Sequence, residues 1–307
     1  MKEKIIKLIK TEFLILDSPI YLETIMLFFM NIHVKKIIWD EEFIWNKTNK
    51  RILIMPITNF VNKYSYKILV PTKWHKSYQI SKWVPSKNIK IFPNVTNIIP
   101  TNNHEKVKML NCKYNIWNKK VILYTGRLIK LKWVEYLLDA YYELIVDNNK
   151  FKEETVLIIT WEWKEKLNLE EKSIKIQNIW WKVLFVGFID NNELWLFYNM
   201  SHMWVVPSIN IDGRSEAYGL VVNEYLIHWK PIITTNMVGA SSIVKENSDF
   251  WYVVNEKSSS EVTIIMKKLL KESNEASGNR TENILKKIKK YNSYSECIRI
   301  LDNITKK

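Results

Sequence analysis

The stretch from Pro207 to Pro231, PSINIDGRSEAYGLVVNEYLIHWKP, decides the fold prediction for this chain of 307 residues. One apolar run, Met203 to Val206, precedes the stretch, and a second run, Ile232 to Thr234, follows it. The order strand, loop, helix, turn and strand is the repeating unit of an open parallel sheet. The sequence therefore predicts an α/β fold.

Two glutamates lie inside this stretch, Glu216 and Glu224, with seven residues between them. A helix that starts near Ala217 would place Glu216 at its N-terminus and Glu224 about two turns inside it. Glutamate pairs at this spacing are mostly solvated helix charges, so the spacing alone does not indicate a site.

The residues around the glutamate pair resemble the Glu-x7-Glu element of retaining GT-B glycosyltransferases of the family-4 type. That element reads roughly P-S, E-G-F-G-L, E-A and G-K-P. The matching residues are Pro207-Ser208, Glu216-Ala217-Tyr218-Gly219-Leu220, Glu224-Tyr225 and Trp229-Lys230-Pro231. The resemblance implies an α/β GT-B fold of two Rossmann-like, doubly wound domains. It also implies that Glu224 accepts hydrogen bonds from the donor ribose, and that Glu216 acts on the donor sugar and diphosphate with the amides of Ala217, Tyr218, Gly219 and Leu220.

A second motif, Gly126 to Lys132, leaves the apolar strand Val121 to Thr125 and enters a helix. A loop of this kind presents backbone N–H groups and a positive helix end to an anion. Arg127 can hold two phosphate oxygens with its planar fork, and Lys132 adds a point charge. The motif resembles the family's G-R-L-x-x-x-K-G, and the resemblance implies that Gly126, Arg127 and Lys132 bind the donor diphosphate.

Four segments are predicted along the chain. They are a partial N-terminal, acceptor-side Rossmann-like domain (1–100), a polar linker (101–120), a C-terminal nucleotide-sugar-binding Rossmann-like domain (121–290) and a C-terminal return helix (291–307). Val70 to Asn97 resembles the end of a GT-B N-terminal domain, but no Gly-rich loop precedes it. We therefore expect an N-terminal domain that is truncated or reduced.

Glycine is scarce and tryptophan abundant, at 6 and 14 residues, whereas average usage would give about 21 glycines. Trp83 and Trp229 each follow a helical run and precede Val-Pro or Lys-Pro, where a left-handed residue, usually Gly, ends helices. Glycine is also habitual in the resembled family at five Trp positions: Trp133, Trp161, Trp163, Trp229 and Trp251. One hypothesis is that UGA codons read as Gly in the source organism were translated here as Trp. The alternative is a naturally Trp-rich protein.

The net charge of +14 fits nucleic acid, anionic lipid or phosphate-bearing ligands as partners. An AT-rich coding bias, which favours Lys, Ile and Asn, explains the charge most simply; a membrane-facing basic surface is the next interpretation. Only Cys112 and Cys297 are present, so neither a disulfide framework nor a metal cluster is indicated. No signal peptide or transmembrane run is visible, which favours a location in the reducing cytoplasm. Peripheral attachment to the inner face of the membrane is a further expectation.

The predicted function is transfer of a sugar, with retention, from a nucleotide-sugar donor to a glycan or lipid-linked acceptor. No cofactor or metal is expected, because the resembled enzymes act without a dedicated protein base or metal. No nucleic-acid partner is expected, because no nucleic-acid-binding module is visible in the sequence. Three alternatives remain: a nucleotide-sugar-binding protein without transferase activity, a phosphorylase on the same fold, and a basic nucleic-acid binder.

Overall fold

The computed structural model of the protein describes residues 12–30, 34–41, 48–96, 98, 103–160, 169–171, 174, 183–228, 230–245, 251–272 and 293–306. The chain divides into two compact units. The first contains Met1–Asn94, Asp212–Tyr218 and Ser293–Lys307, and the second contains Val95–Ile211 and Gly219–Asn292.

The first unit is built on a four-stranded sheet in which every strand runs parallel to its neighbour, in the order β1-β2-β3-β4. Its strands are β1 (Phe13–Leu16), β2 (Lys35–Trp39), β3 (Lys67–Val70) and β4 (Ile89–Ile91). Its helices are α1 (Leu22–Met30), α2 (Asn49–Tyr64), α3 (Lys73–Ser81) and, at the other end of the chain, α11 (Tyr294–Thr305).

The second unit contains a six-stranded parallel sheet in the order β10-β9-β8-β5-β6-β7. Its strands are β5 (Lys120–Tyr124), β6 (Thr155–Thr160), β7 (Val183–Gly187), β8 (Ser201–Val206), β9 (Ile232–Thr235) and β10 (Trp251–Val254). Its helices are α4 (His104–Lys113), α5 (Val134–Asp147), α6 (Asn149–Glu154), α7 (Asn191–Met200), α8 (Val221–Ile227), α9 (Ser241–Lys245) and α10 (Ser259–Lys271). The predicted alternation of strands and helices is confirmed here.

The core of the second unit forms between this sheet and helices α5 and α10. Helix α5 has an apolar face that is buried throughout: Val134, Leu137, Leu138, Tyr141, Leu144 and Ile145. Each such side chain contributes about 1.5–3 kcal/mol by leaving water. The 3.6-residue period of this helix was therefore a reliable guide to its packing.

Two segments differ from what the sequence predicted. The segment predicted as a plain linker contains α4, capped by Asn103. Helix α8 begins at Val221 rather than near Ala217, because Gly219 has a left-handed φ of 87° that a helix cannot contain.

Two tryptophans occupy backbone that favours glycine. Trp83 has φ 66° and Trp133 has φ 32°, so both lie in the left-handed region. Trp251 does not, because it lies in strand β10 and its side chain is buried in the core. Trp161, Trp163 and Trp229 lie outside the described residues.

None of the described helices combines the length and the apolar character needed to cross a membrane.

Candidate functional site

The loop from Gly126 to Lys132 leaves the carboxyl end of β5, which lies between β8 and β6 in the sheet. Gly126 has φ 145°, and a Cβ added there would lie 3.1 Å from the Tyr124 hydroxyl oxygen. That hydroxyl donates to the Arg127 carbonyl at 3.0 Å. A glycine is therefore required at this position, and the contact fixes the backbone that carries Arg127.

The side chain of Arg127 is exposed, while Leu128 beside it is fully buried. Leu128 therefore anchors the loop to the core while Arg127 extends into solvent. The backbone of Lys132 closes a short 3-10 turn by donating to Ile129 at 2.9 Å. The Ile209 amide, just after β8, donates to the Leu131 carbonyl at 2.9 Å. The loop is thus attached to the segment that leads from β8 towards the glutamate pair.

Trp133 separates this turn from helix α5, and its ring stacks on Tyr136 with centroids 5.5 Å apart. A cavity adjoins Trp133 and is lined mainly by apolar residues: Leu128, Ile129, Lys130, Trp133, Val134, Glu135 and Leu169. Arg127 and Lys132 do not line it. The anion site predicted from Arg127 and Lys132 is therefore not this cavity.

Glu224 lies in the first turn of α8, in the second unit. Burial raises the pKa of its carboxyl above the usual range, and a hydrogen bond from Tyr198 opposes that rise. The Tyr198 hydroxyl donates to Glu224 Oε2 at 2.7 Å. A carboxylate held by one strong donor at a helix start is suited to accepting hydrogen bonds from a polyhydroxyl ligand.

Residue Tyr225, next to Glu224, connects α8 to the end of β5. The Thr125 amide donates to the Tyr225 hydroxyl at 3.1 Å, and the two hydroxyl groups also share a short hydrogen bond. Thr125 immediately precedes Gly126. Because β5 and β8 are parallel, their carboxyl ends meet at one edge of the sheet, where open α/β folds bind ligands.

Glu216, Ala217 and Tyr218 belong to the first unit, and Gly219 and Leu220 to the second. Glu216 is half-buried, Tyr218 and Gly219 are buried, and Leu220 is exposed. The Ala217 carbonyl accepts a hydrogen bond from His75 Nε2 at 3.0 Å. Since a carbonyl can only accept, His75 carries a proton on Nε2; its Nδ1 lies 2.8 Å from the Thr72 hydroxyl oxygen.

The structure thus joins the Gly126–Lys132 loop and Glu224 through Thr125 and Tyr225. The predicted donor-binding roles of the nine site residues stay predictions. Three supporting residues were missed in the sequence: Thr125, Tyr198 and His75. Their positions read as ordinary strand end, core helix and helix cap, and no spacing pattern would have revealed them.

Within the described ranges, no three His, Cys, Asp or Glu side chains are grouped so that they could hold a metal ion.

A model of the family described as glycosyl transferases group 1 matches residues 113–290, more than half of the chain. The chain belongs to this family. The match includes both the Gly126–Lys132 loop and the glutamate pair. It therefore confirms the group 1 glycosyltransferase family.

Two curated relatives of this group 1 glycosyltransferase chain are themselves described only in general terms. An uncharacterized glycosyltransferase, MJ1607 of Methanocaldococcus jannaschii, is 27% identical over 135 residues, which is 44% of this chain and 32% of that protein. An uncharacterized 41.2 kDa protein in the cps region of Klebsiella pneumoniae is 22% identical over 201 residues, or 65% and 51% of the two chains. The chain thus spans about half or less of these relatives.

Solved structures establish the fold of this family member. The crystal structure of Anabaena Alr3699/HepE in complex with UDP matches with a TM-score of 0.81 at 12% identity, covering 99% of this chain and 81% of that one. The same protein has been solved in complex with UDP-glucose. The α/β GT-B fold predicted from the sequence is therefore confirmed.

Proposed function

We propose that this protein transfers a sugar from a nucleotide-sugar donor, with retention, to a glycan or lipid-linked acceptor. The observation that carries the proposal is the connection of the Arg127 loop to the Glu224 helix through Thr125 and Tyr225. The two motifs that resemble donor-binding elements are thereby joined at the ligand-binding edge of one parallel sheet. The UDP and UDP-glucose complexes of the HepE structure support a nucleotide-sugar donor.

Each proposed residue has a distinct part in the reaction. Arg127 and Lys132 neutralise the diphosphate as the anomeric bond breaks, with the Gly126 backbone close to the same group. Preorganised cations of this kind are often the largest contribution to catalysis. Glu224 accepts hydrogen bonds from the ribose hydroxyls. Glu216 and the amides of Ala217 to Leu220 orient the donor sugar, and no metal or other cofactor takes part.

Calorimetric titration with UDP-glucose tests the donor site. Arg127→Ala removes a bidentate phosphate contact, so we expect its Kd to rise by about tenfold or more. Glu224→Gln weakens ribose binding, and we expect a similar loss. The matched controls Arg299→Ala and Glu154→Gln change exposed residues of ion pairs outside the proposed site, and should bind like the wild type.

Unaltered binding by Arg127→Ala and Glu224→Gln would contradict the proposed donor site. Tight donor binding without turnover, across glycan and lipid-linked acceptors, would instead support the alternative of a binding protein without transfer.

We further propose that the first unit binds the inner, anionic face of a membrane. Its helices α1 and α2 expose many large apolar side chains: Leu22, Met26, Phe29, Met30, Ile52, Leu53, Ile57, Phe60 and Tyr64. Phe29 and Phe60 stack with centroids 5.9 Å apart, so the two helices share one apolar face.

A cation accompanies this apolar face at the end of α2. Lys63 is exposed in the last turn of that helix, and its Nζ lies 5.7 Å from the centroid of Tyr64. From residue 12 to residue 94 the sequence has twelve Lys and Arg against six Asp and Glu. Apolar residues with flanking cations match the chemistry of an anionic lipid interface.

A further inference from the structure

A chain of hydrogen bonds runs from the Glu224 carboxylate to the start of the Gly126–Lys132 loop. The Tyr198 hydroxyl donates to Glu224 Oε2 at 2.7 Å. The Thr125 side chain also lies against the Tyr198 hydroxyl and hydrogen-bonds to Tyr225. All four residues belong to the second unit. The carboxylate on α8 and the loop after β5 are therefore held by the same polar contacts.

The ring of Tyr198 is locked by edge-on aromatic contacts on several sides. Its centroid lies 5.3 Å from Tyr225 at 88°, 6.1 Å from Trp204 at 79° and 5.0 Å from His228 at 67°. Tyr198 and Tyr225 have no exposed surface, and Trp204 has none either. A ring enclosed in this way holds its hydroxyl oxygen at one place.

Packing alone does not require the hydroxyl group of Tyr198, because Phe fills the same apolar space. The hydroxyl has a specific partner, since Tyr198 is the one described side chain that donates to Glu224. A largely buried carboxylate without a donor is strongly disfavoured in its charged form. The hydrogen bond from Tyr198 thus stabilises the charged form of Glu224 and restrains the orientation of its carboxylate.

We propose that Tyr198 is a positioning residue for donor binding, which fixes the Glu224 carboxylate relative to the Gly126–Lys132 loop through Thr125 and Tyr225. This inference rests on the proposed function, in which Glu224 binds the ribose and the loop binds the diphosphate. It adds the element that sets the spacing between these two halves of the donor site.

The groups around Glu224 determine the expected pH dependence. Tyr198 and Tyr225 have pKa values raised by burial and stay neutral. His228, packed on Tyr198, has its pKa lowered by burial to about 4, with Lys230 adding to that effect, so it is neutral near pH 7. Because burial raises the pKa of Glu224, protonation of this carboxyl is the change that we expect to weaken binding as the pH falls. Removing the Tyr198 hydroxyl removes a donor to the charged form, so the Glu224 pKa should rise further.

Tyr198→Phe tests the inference by titration with UDP-glucose between pH 4.5 and pH 8. The diphosphate of this ligand does not titrate in that range. Binding should weaken as the pH falls, and we call this part of the pH profile the acid limb. We expect the acid limb to move to a pH about one unit higher in the variant, because the free energy of a hydrogen bond to a charged group corresponds to about one pKa unit or more. At pH 8 we expect a loss of affinity of about 3- to 10-fold.

Two further variants separate positioning from simple support of the core. Tyr141→Phe removes a hydroxyl from another fully buried tyrosine of the same unit, one that bonds to Thr155 at 3.2 Å. It should leave the acid limb where it is in the wild type. Glu224→Gln should abolish the acid limb, which would assign the limb to this carboxyl group.

An acid limb at the same pH in Tyr198→Phe and the wild type would overturn the inference while leaving the proposed function intact. Failure of the wild type to bind UDP-glucose or any of a panel of other nucleotide sugars would overturn the proposed function. In that case, 13C NMR titration of the Glu224 carboxyl in the two proteins decides whether Tyr198 controls its ionisation. Equal pKa values would then overturn the inference as well.

Discussion

His75 shows how one buried side chain can define both a backbone position and a pH response. Its ring has no exposed surface and bonds to Thr72 and to the Ala217 carbonyl. Burial lowers its pKa from 6.5 to about 4, and hydrogen bonds to the Ala217 and Glu41 carbonyls only partly oppose that shift. The neutral ring is therefore the native form near pH 7.

We expect His75 to make the protein less stable as the pH falls from 6.5 towards 4. In this window the unfolded chain takes up a proton that the native ring excludes, so the stability present above pH 6.5 is lost. His75→Gln should reduce the slope of the unfolding free energy by about 1.4 kcal/mol per pH unit. Urea unfolding at several pH values measures the slope. His104→Gln, on the exposed face of α4, is the control, and an equal change in both variants would contradict the prediction.

Two tryptophans with left-handed backbone conformation bear on the hypothesis that Trp stands where the natural chain has Gly. Trp83 and Trp133 have the positive φ values that glycine tolerates best. The ordinary backbone of Trp251 gives no such support for that position. The hypothesis therefore gains support at two of the positions that the structure describes.

Helix α3 ends in a complete Schellman motif, and the left-handed position of this motif is occupied by Trp83. The Val84 amide donates to Gln79 at 3.2 Å and the Trp83 amide donates to Ile80 at 3.0 Å. Trp83 occupies the C′ position, which is commonly Gly. Its side chain is 84% exposed, so the indole adds little packing to offset the backbone strain.

We expect Trp83→Gly to increase the free energy of unfolding by about 1 kcal/mol, because glycine adopts left-handed backbone without a Cβ clash. Trp83→Ala is the matched control, since it removes the indole but keeps the Cβ. Chemical denaturation compares the three proteins. An equal gain in the Ala variant would assign the effect to loss of the exposed indole rather than to the backbone.

Helix α8 illustrates how one backbone angle changes the meaning of a motif. With its start at Val221, Glu216 lies in a loop and Glu224 in the first helical turn. The two glutamates are therefore not two positions along one helix. Their different settings agree with the different parts proposed for them.

At the scale of the whole molecule, the charge of +14 and the apolar face of α1 and α2 lead to a membrane prediction. We expect flotation with vesicles containing anionic lipid and much weaker flotation with zwitterionic vesicles. Leu53→Glu should weaken binding by about tenfold, since it removes apolar area and adds a repelled charge.

The control for this experiment is Ile264→Glu, on helix α10 of the second unit, where the replaced side chain is also well exposed. Equal flotation with both lipid types, or equal losses in the two variants, would contradict binding through α1 and α2.

The sequence alone determined the alternation of strands and helices, the family and the position of the two motifs that resemble donor-binding elements. These features depend on local patterns in the sequence: apolar periodicity, helix-capping residues such as Thr72, and short motifs whose residues are adjacent in the chain. The left-handed backbone at Trp83 was also predictable, because helix C-termini have a characteristic local sequence pattern.

The contacts that hold those motifs together depend on how the chain folds in three dimensions. Tyr198 and Glu224 are 26 residues apart, and Thr125 and Tyr225 are 100 apart, so no local pattern links them. Strand order set these contacts, by placing β5 next to β8 with parallel carboxyl ends. The start of α8 was missed for a related reason: Gly219 could have joined the helix, and its left-handed φ follows from the path of the folded chain around it.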